Sequence, residues 1–319
     1  MRLTLALIAL TALLSGPGHS QQFATRPIML VVPFVAGAAN DVLARTLADE
    51  LRTTLGTIVV DNKPGANGAI GAEFVKRAPA DGHTLMVVAN SFAIAAAIGG
   101  RLRYDLVNDF EPVVLTNNLP FFLVVNHEAM PVGSPKEFVD YAGARPGKLS
   151  YGSAGLGSTH HLAMELFKLQ AGFDMLHVPY KGMAVGISDL LAGRIQALIT
   201  GFPAVAAHMK SGKLKLLATV GGSRSQAQPQ VPTFAEAGIP NVELGSWQGI
   251  VVPAGTPAGV IARLNSEFNR ALGLASIRDK LALQGMDVAG GTPEAFGRRI
   301  RGDIEKALIV VKAAGITGD

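Results

Sequence analysis

The 319-residue chain contains no cysteine. That absence excludes disulfides, thiol nucleophiles, thiolate metal centres and lipid attachment at an N-terminal cysteine. Charge is scarce too. Asp, Glu, Lys and Arg make up 16% of the residues against 49% apolar, the balance of a chain with a large core and not of a disordered one. The 28 basic and 24 acidic residues are dispersed along the chain. With no basic run, a nucleic-acid partner has no electrostatic footprint. Tryptophan occurs once, at Trp247. Beyond the N-terminus no apolar run reaches the roughly 18 residues of a membrane-spanning helix.

The N-terminus itself is distinctive. Met1-Arg2 is a short positive region, Leu3 to Leu14 is apolar, and Gly18-His19-Ser20 offers small residues for cleavage before Gln21. Residues 1–20 therefore read as a secretory signal peptide, too short to span a bilayer. Its removal takes away only Arg2, so the net charge falls from +4 to +3. An export signal on a cysteine-free chain of this size points to a bacterial periplasm.

One stretch organises the rest: Lys148 to Leu162, in which a short apolar strand meets a glycine loop and the loop opens a helix. Leu162, Leu166 and Leu169 are in helical register, and Ser158 or Thr159 is a natural N-cap. Glycines let the backbone turn sharply, and a helix start presents free N–H groups and partial positive charge. A carboxylate or phosphate fits there. An earlier stretch follows the same plan. Arg26 to Phe34 reads as a buried strand, Val35 to Asn40 as a small-residue loop, and Leu43, Leu47, Leu51 and Leu55 as one helix face capped by Asn40. Residues 28–60 and 149–178 thus share a strand–loop–helix–strand unit. Further strands at Ile58 to Val60 and Thr84 to Val88, with a helix over Ala66 to Arg77 between them, predict a parallel α/β sheet. Two α/β lobes result, and ligands of such sheets bind beyond the strand carboxyl ends, where both loops lie.

Catalytic readings of these loops are weak. Gly155-Leu156-Gly157-Ser158 lacks the third glycine of a dinucleotide loop, and His160 stands in its place. Neither Ser153 nor Ser158 sits in a Gly-x-Ser-x-Gly elbow. A Ser158–His160 dyad has no acid to orient its imidazole. His161 and Glu165 are one helical turn apart, but two ligands make no metal site. The remaining readings stay open at this point. His160 or His161 is either a hydrogen-bond donor to an anion or a structural residue, Tyr180 either lines the cleft or packs the next helix, and Trp247 is either hinge packing or a cleft wall.

The order of local motifs carries more. Arg26-Pro27-Ile28 leads to Val32-Pro33-Phe34, followed by Asp41-Val42-Leu43-Ala44-Arg45 and Asn62-Lys63-Pro64-Gly65-Ala66-Asn67-Gly68. Asp81-Gly82-His83-Thr84-Leu85 and Asp109-Phe110-Glu111-Pro112-Val113 come next. His177 to Gly182, Val231 to Gly238 and Pro253-Ala254-Gly255-Thr256-Pro257 complete the series. In this order the chain resembles the Bug-type solute receptors of tripartite tricarboxylate transporters along nearly its whole mature length.

The resemblance implies a type II periplasmic binding-protein fold, two α/β lobes joined by two crossing strands. Residues 21–120 with 250–319 would form one lobe and 121–249 the other. It implies a non-catalytic, monomeric periplasmic receptor without cofactor or metal. Such a receptor binds a small organic carboxylate and presents it to membrane permease subunits. Carried over by position, the ligand-binding residues are Phe34, Ala36, Gly37, Ala38 and Asn40 in the first loop. Those of the second are Ser153, Gly155, Gly157, Ser158, Thr159 and His160. Asn90, Ser91, Tyr180, Thr200 and Phe202 complete the set. Two departures stand out. Ala38 replaces the second glycine of the first loop, and Thr200-Gly201-Phe202-Pro203 replaces an Asp-Asn before the Leu-Pro pair of many members. The missing carboxylate argues against an amino-acid ligand and favours an uncharged-backbone or aromatic carboxylate. The alternatives are a hydrolase or isomerase on the same scaffold, or the ligand-sensing partner of a signalling system.

Overall fold

A computed structural model of the chain describes residues 26–317 apart from Arg101 and Lys210. The signal-peptide assignment, residues 1–20, lies outside the described residues.

Among the described residues eleven strands form two sheets. β1 (Ile28–Val32), β2 (Ile58–Asn62), β3 (Thr84–Ala89), β4 (Phe110–Leu119), β10 (Ser246–Pro253) and β11 (Asp287–Val288) make the first, in the order β11-β4-β10-β3-β1-β2. β5 (Phe121–Asn126), β6 (Ser150–Ser153), β7 (Leu176–Pro179), β8 (Ala197–Gly201) and β9 (Leu214–Val220) make the second, in the order β7-β6-β8-β5-β9. The helices are α1 (Ala39–Leu55), α2 (Ala69–Lys76), α3 (Asn90–Ile98), α4 (Pro135–Gly143) and α5 (Thr159–Ala171). They continue with α6 (Met183–Leu191), α7 (Phe202–Met209), α8 (Ala258–Gly273), α9 (Ala275–Ala282) and α10 (Pro293–Ala313). The chain crosses between sheets twice. Pro120 separates β4 from β5, and the segment after β9 returns through Gly245 into β10.

Each lobe contains a parallel strand–helix unit, as the sequence predicts: β1 with β2 and β3, and β6 with β7 and β8. The sheets as wholes are mixed, not parallel. The crossing strands enter each sheet from the other lobe and run back through it, so β10 is antiparallel to β3 and β4, and β5 to β8 and β9. Two local readings also change. The N-cap of α1 is Ala38, and Asn40 lies inside the helix. The helix expected over Ala66 to Arg77 begins as a 3-10 turn, Ala66–Gly68, before α2.

The cores follow from the pattern. Leu43, Leu47, Leu51 and Leu55 bury one face of α1 against Leu30, Leu85 and Ile250 of the first sheet. Tyr151, Phe167 and Phe138 fill the second lobe. A third apolar patch joins the lobes beside the return crossing. Leu162 and Leu166 of α5 meet Ile94 of α3, Leu244 of the return segment and Val310 of α10. Trp247 proves to be hinge packing. Its buried indole lies edge-on to Phe296 and donates to the Asp303 carboxylate at 2.5 Å.

Candidate functional site

Both organising loops end at a helix start, and both use the same local device. In the first, the N–H of Gly37, just before the cap of α1, donates to the Asp41 carboxylate four residues on, at 2.9 Å. In the second, the N–H of Gly157, just before the Ser158 cap of α5, donates to Nδ1 of His161, again four residues on, at 3.1 Å. Both glycines have left-handed φ, +79° and +72°, which side-chain-bearing residues adopt at a cost. A Cβ on Gly157 would also lie 2.7 Å from Ile98 Cδ1. The acceptor in each case is the third helical residue reaching back, a relative of the capping box. It fixes the loop and leaves the first two amides of each helix, Ala39 and Asn40 or Thr159 and His160, without an intrahelical acceptor.

The two acceptors differ in charge. Burial works to raise the pKa of Asp41, but hydrogen bonds from Arg45, Gly37 and Asn62 outweigh it and hold the carboxyl below its usual range. Asp41 is therefore an anion. His161 is buried, and burial pushes its pKa down to about 4, with the adjacent imidazole of His177 adding to the effect. His161 is therefore neutral near pH 7, as an Nδ1 acceptor must be. Its ring stacks on His177 at 3.9 Å, and His177 Nε2 lies 2.6 Å from the Ser153 hydroxyl.

Between the loops lies a cavity of about 860 Å³. It brings together Phe34, Ala38, Ser91, Gly157, Ser158 and Thr159 of the sequence-predicted set. The others stand elsewhere. Ala36 and Gly37 form the exposed tip of the first loop, and Gly155 lies between two lining residues, Ala154 and Leu156. Asn40 Oδ1 accepts from Gln248 at 2.6 Å. The Asn90 side chain is buried and spent on the hinge. It donates to Thr159 Oγ1 and to the Gly245 carbonyl and accepts from Ser246. Ser153 is buried and bonded to Gly155 and His177. The His160 ring stacks on Phe121 at 4.8 Å. Tyr180 packs the next helix. Its ring lies over Gly152 and Gly186, and its hydroxyl donates to Asp189. Thr200 is buried in β8, and Phe202 lies edge-on to Phe122.

Two walls escaped the sequence reading. One is the Pro64–Gly68 turn, where Ala66 and Asn67 adopt φ of +46° and +52°, an uncommon region for residues other than glycine. Its positive-φ geometry was foreshadowed by the glycine-rich run. The other is apolar, formed by α3 with Leu102 and Tyr104, and nothing in its sequence separates it from core. Among the described residues no group of three or more His, Cys, Asp or Glu is placed to hold a metal ion.

Two lobes, two crossing strands and opposed helix starts over a shared cleft define a binding protein of the type II periplasmic class. The comparisons then fix the family. The profile of the tripartite tricarboxylate transporter family receptor matches residues 43–316, and the chain belongs to that family. BugT of Bordetella pertussis is 34% identical over 308 residues, covering 96% of this chain and 94% of BugT. A TctC solute-binding protein from Polaromonas, solved without ligand, superposes with a TM-score of 0.84 at 32% identity, over 91% of this chain and 99% of that one. Rpa4515 of R. palustris, solved with adipate, gives 0.74 at 36% identity, over 92% and 99%. The protein is an extracytoplasmic, non-catalytic receptor that binds a small organic carboxylate for a transport system of this type. It works in the periplasm.

Proposed function

We propose that the ligand carboxylate is held between the starts of α1 and α5 by backbone amides and hydroxyls, and that the loaded receptor, a monomer, docks on membrane permease subunits. The observation that carries this is the pair of helix starts facing one cavity whose lining, among the described residues, holds no charged side chain. An anion there is stabilised by helix-terminal N–H groups instead of a cationic clamp. Phe34, Ala38, Ser91, Gly157, Ser158 and Thr159 form the contact set. Ala36, Gly37, Asn40, Asn90, Ser153 and Gly155 support it, with His160, Tyr180, Thr200 and Phe202 further out. The lobes that close on the ligand are residues 21–120 with 250–319, and 121–249, with β10 as the second crossing.

Native mass spectrometry of freshly purified protein tests the receptor reading. A retained organic acid, and a melting temperature that rises with its concentration, are expected. Turnover of that acid, abolished by Ser158→Ala, would instead establish an enzyme. Co-purification with permease subunits only in the presence of ligand tests the docking step.

A further inference from the structure

The cleft is chemically lopsided. Ser158 and Thr159 stand on its second-lobe side. Each hydroxyl already accepts a hydrogen bond, Ser158 from the His161 amide at 3.3 Å and Thr159 from Asn90 Nδ2 at 3.1 Å. A hydroxyl that accepts still has its own O–H to donate. Two O–H donors therefore join the first-turn amides of α5, and the acceptor behind this jaw is the neutral His161.

The first-lobe side is different. Its glycine amide is matched to the ionised Asp41, whose charge Arg45 balances at 3.0 Å, so the start of α1 offers a ligand carboxylate backbone amides but no hydroxyl donor. Among the described residues the wall beyond it is mainly apolar and includes Phe34, Ile94, Ala95, Ile98, Leu102 and Tyr104. Ser91 and Asn67 are polar there but neutral, so they can bond a hydroxyl or carbonyl without balancing a charge. Burying a carboxylate against such a wall without a counter-charge is unfavourable, whereas burying methylenes or a ring is favourable.

We propose that the cleft selects an amphipathic monocarboxylate, its single carboxylate seated on Ser158 and Thr159 and its uncharged aliphatic or aromatic body against the α3–Tyr104 wall. This rests on the receptor reading above and narrows its ligand class. Hexanoate and adipate share a six-carbon chain and differ in the charge of the far end, and adipate is the acid held by the Rpa4515 relative, so the pair makes a sharp comparison.

Calorimetric titration of the mature chain at pH 7.5 with sodium hexanoate, benzoate, adipate and glutamate tests the proposal. Hexanoate and benzoate are expected to bind at least tenfold more tightly than adipate, with glutamate weakest. Adipate binding as tightly as hexanoate overturns the proposal and leaves the receptor reading intact. Absence of binding by all four also overturns it, and malate and citrate then decide the receptor reading separately. Ala95→Lys, which places a cation on the half-buried wall, should weaken hexanoate at least tenfold and strengthen adipate. Unchanged affinities in a folded Ala95→Lys protein refute the placement of the body. Thr159→Val should weaken hexanoate and benzoate alike by about tenfold, and a variant binding both as the parent does refutes the placement of the carboxylate.

Discussion

Acid should loosen this receptor through its buried imidazoles before most of its carboxylates titrate. His161 is 3% exposed, and burial, helped by His177, pushes its pKa from 6.5 to about 4. Glu165 works the other way and Lys168 reinforces the shift, but burial dominates. In the unfolded chain the same imidazole takes up a proton near pH 6.5. Between pH 6.5 and 4 the unfolded state thus binds a proton that the folded state refuses. Stability falls as the pH drops through that window and is indifferent to this group above it. At ~1.4 kcal/mol per pH unit, His161 alone accounts for about 3 kcal/mol by pH 4. Burial pushes His160 down to about 4 as well, so the pair roughly doubles the slope. That is a large share of the ~5–15 kcal/mol that holds a typical domain together.

Urea unfolding, followed by the fluorescence of Trp247 from pH 8 to 4.5, measures this directly. The parent should lose about 2 kcal/mol or more between pH 6.5 and 5. His161→Asn keeps an acceptor for the Gly157 amide but cannot titrate, so its pH slope should fall clearly, His160 and His177, both also lowered by burial, keeping the rest. Identical slopes for parent and variant would refute the reasoning. Protonated His161 no longer accepts from Gly157, so ligand affinity should fall in the same window and do so less in His161→Asn.

Three further outcomes follow from packing and capping. Gly249→Ala places a Cβ 2.2 Å from Phe296 Cζ and 2.8 Å from the Val114 carbonyl, and it should cost about 3 kcal/mol in chemical denaturation. Asp41→Ala strands the Gly37 amide and removes the acceptor of Arg45 and Asn62, with an expected loss of about 1–2 kcal/mol and a less ordered first loop by amide hydrogen exchange. Thr292→Ala removes the cap that accepts from the Ala295 amide and should cost about 1 kcal/mol, read as a lower urea midpoint with an unchanged slope.

The parallel units were legible because their signals are local. Buried strands read as apolar runs, α1 and α5 as leucine faces, and both loops as small residues before a helix. Ser134 and Thr292, each followed by proline, cap α4 and α10 by the same local rule. The Thr233–Glu236 capping box forms both of its bonds, yet Gly238 follows so soon that only a turn results. The antiparallel strands were not legible, since the direction of β5 and β10 depends on which lobe the chain has just left. The site divided along the same line. The helix start at Ser158 and Thr159 was legible because it is a property of a few consecutive residues. Asn90 is carried over from the resemblance, and its side chain is spent on Thr159, Gly245 and Ser246, partners distant in sequence. Leu102 and Tyr104 went unnoticed because an apolar residue carries no mark of which cavity it faces.

The apolar patch of Leu162, Leu166, Ile94, Leu244 and Val310 joins the lobes beside the return crossing. Two crossing strands are a narrow attachment, and this packed patch widens it to include three helices. The start of α5, one turn from Leu162, is thereby tied to α3 and α10 of the first lobe, so the spacing of the two jaws is set where Leu162 and Leu166 pack and not by the crossing strands alone.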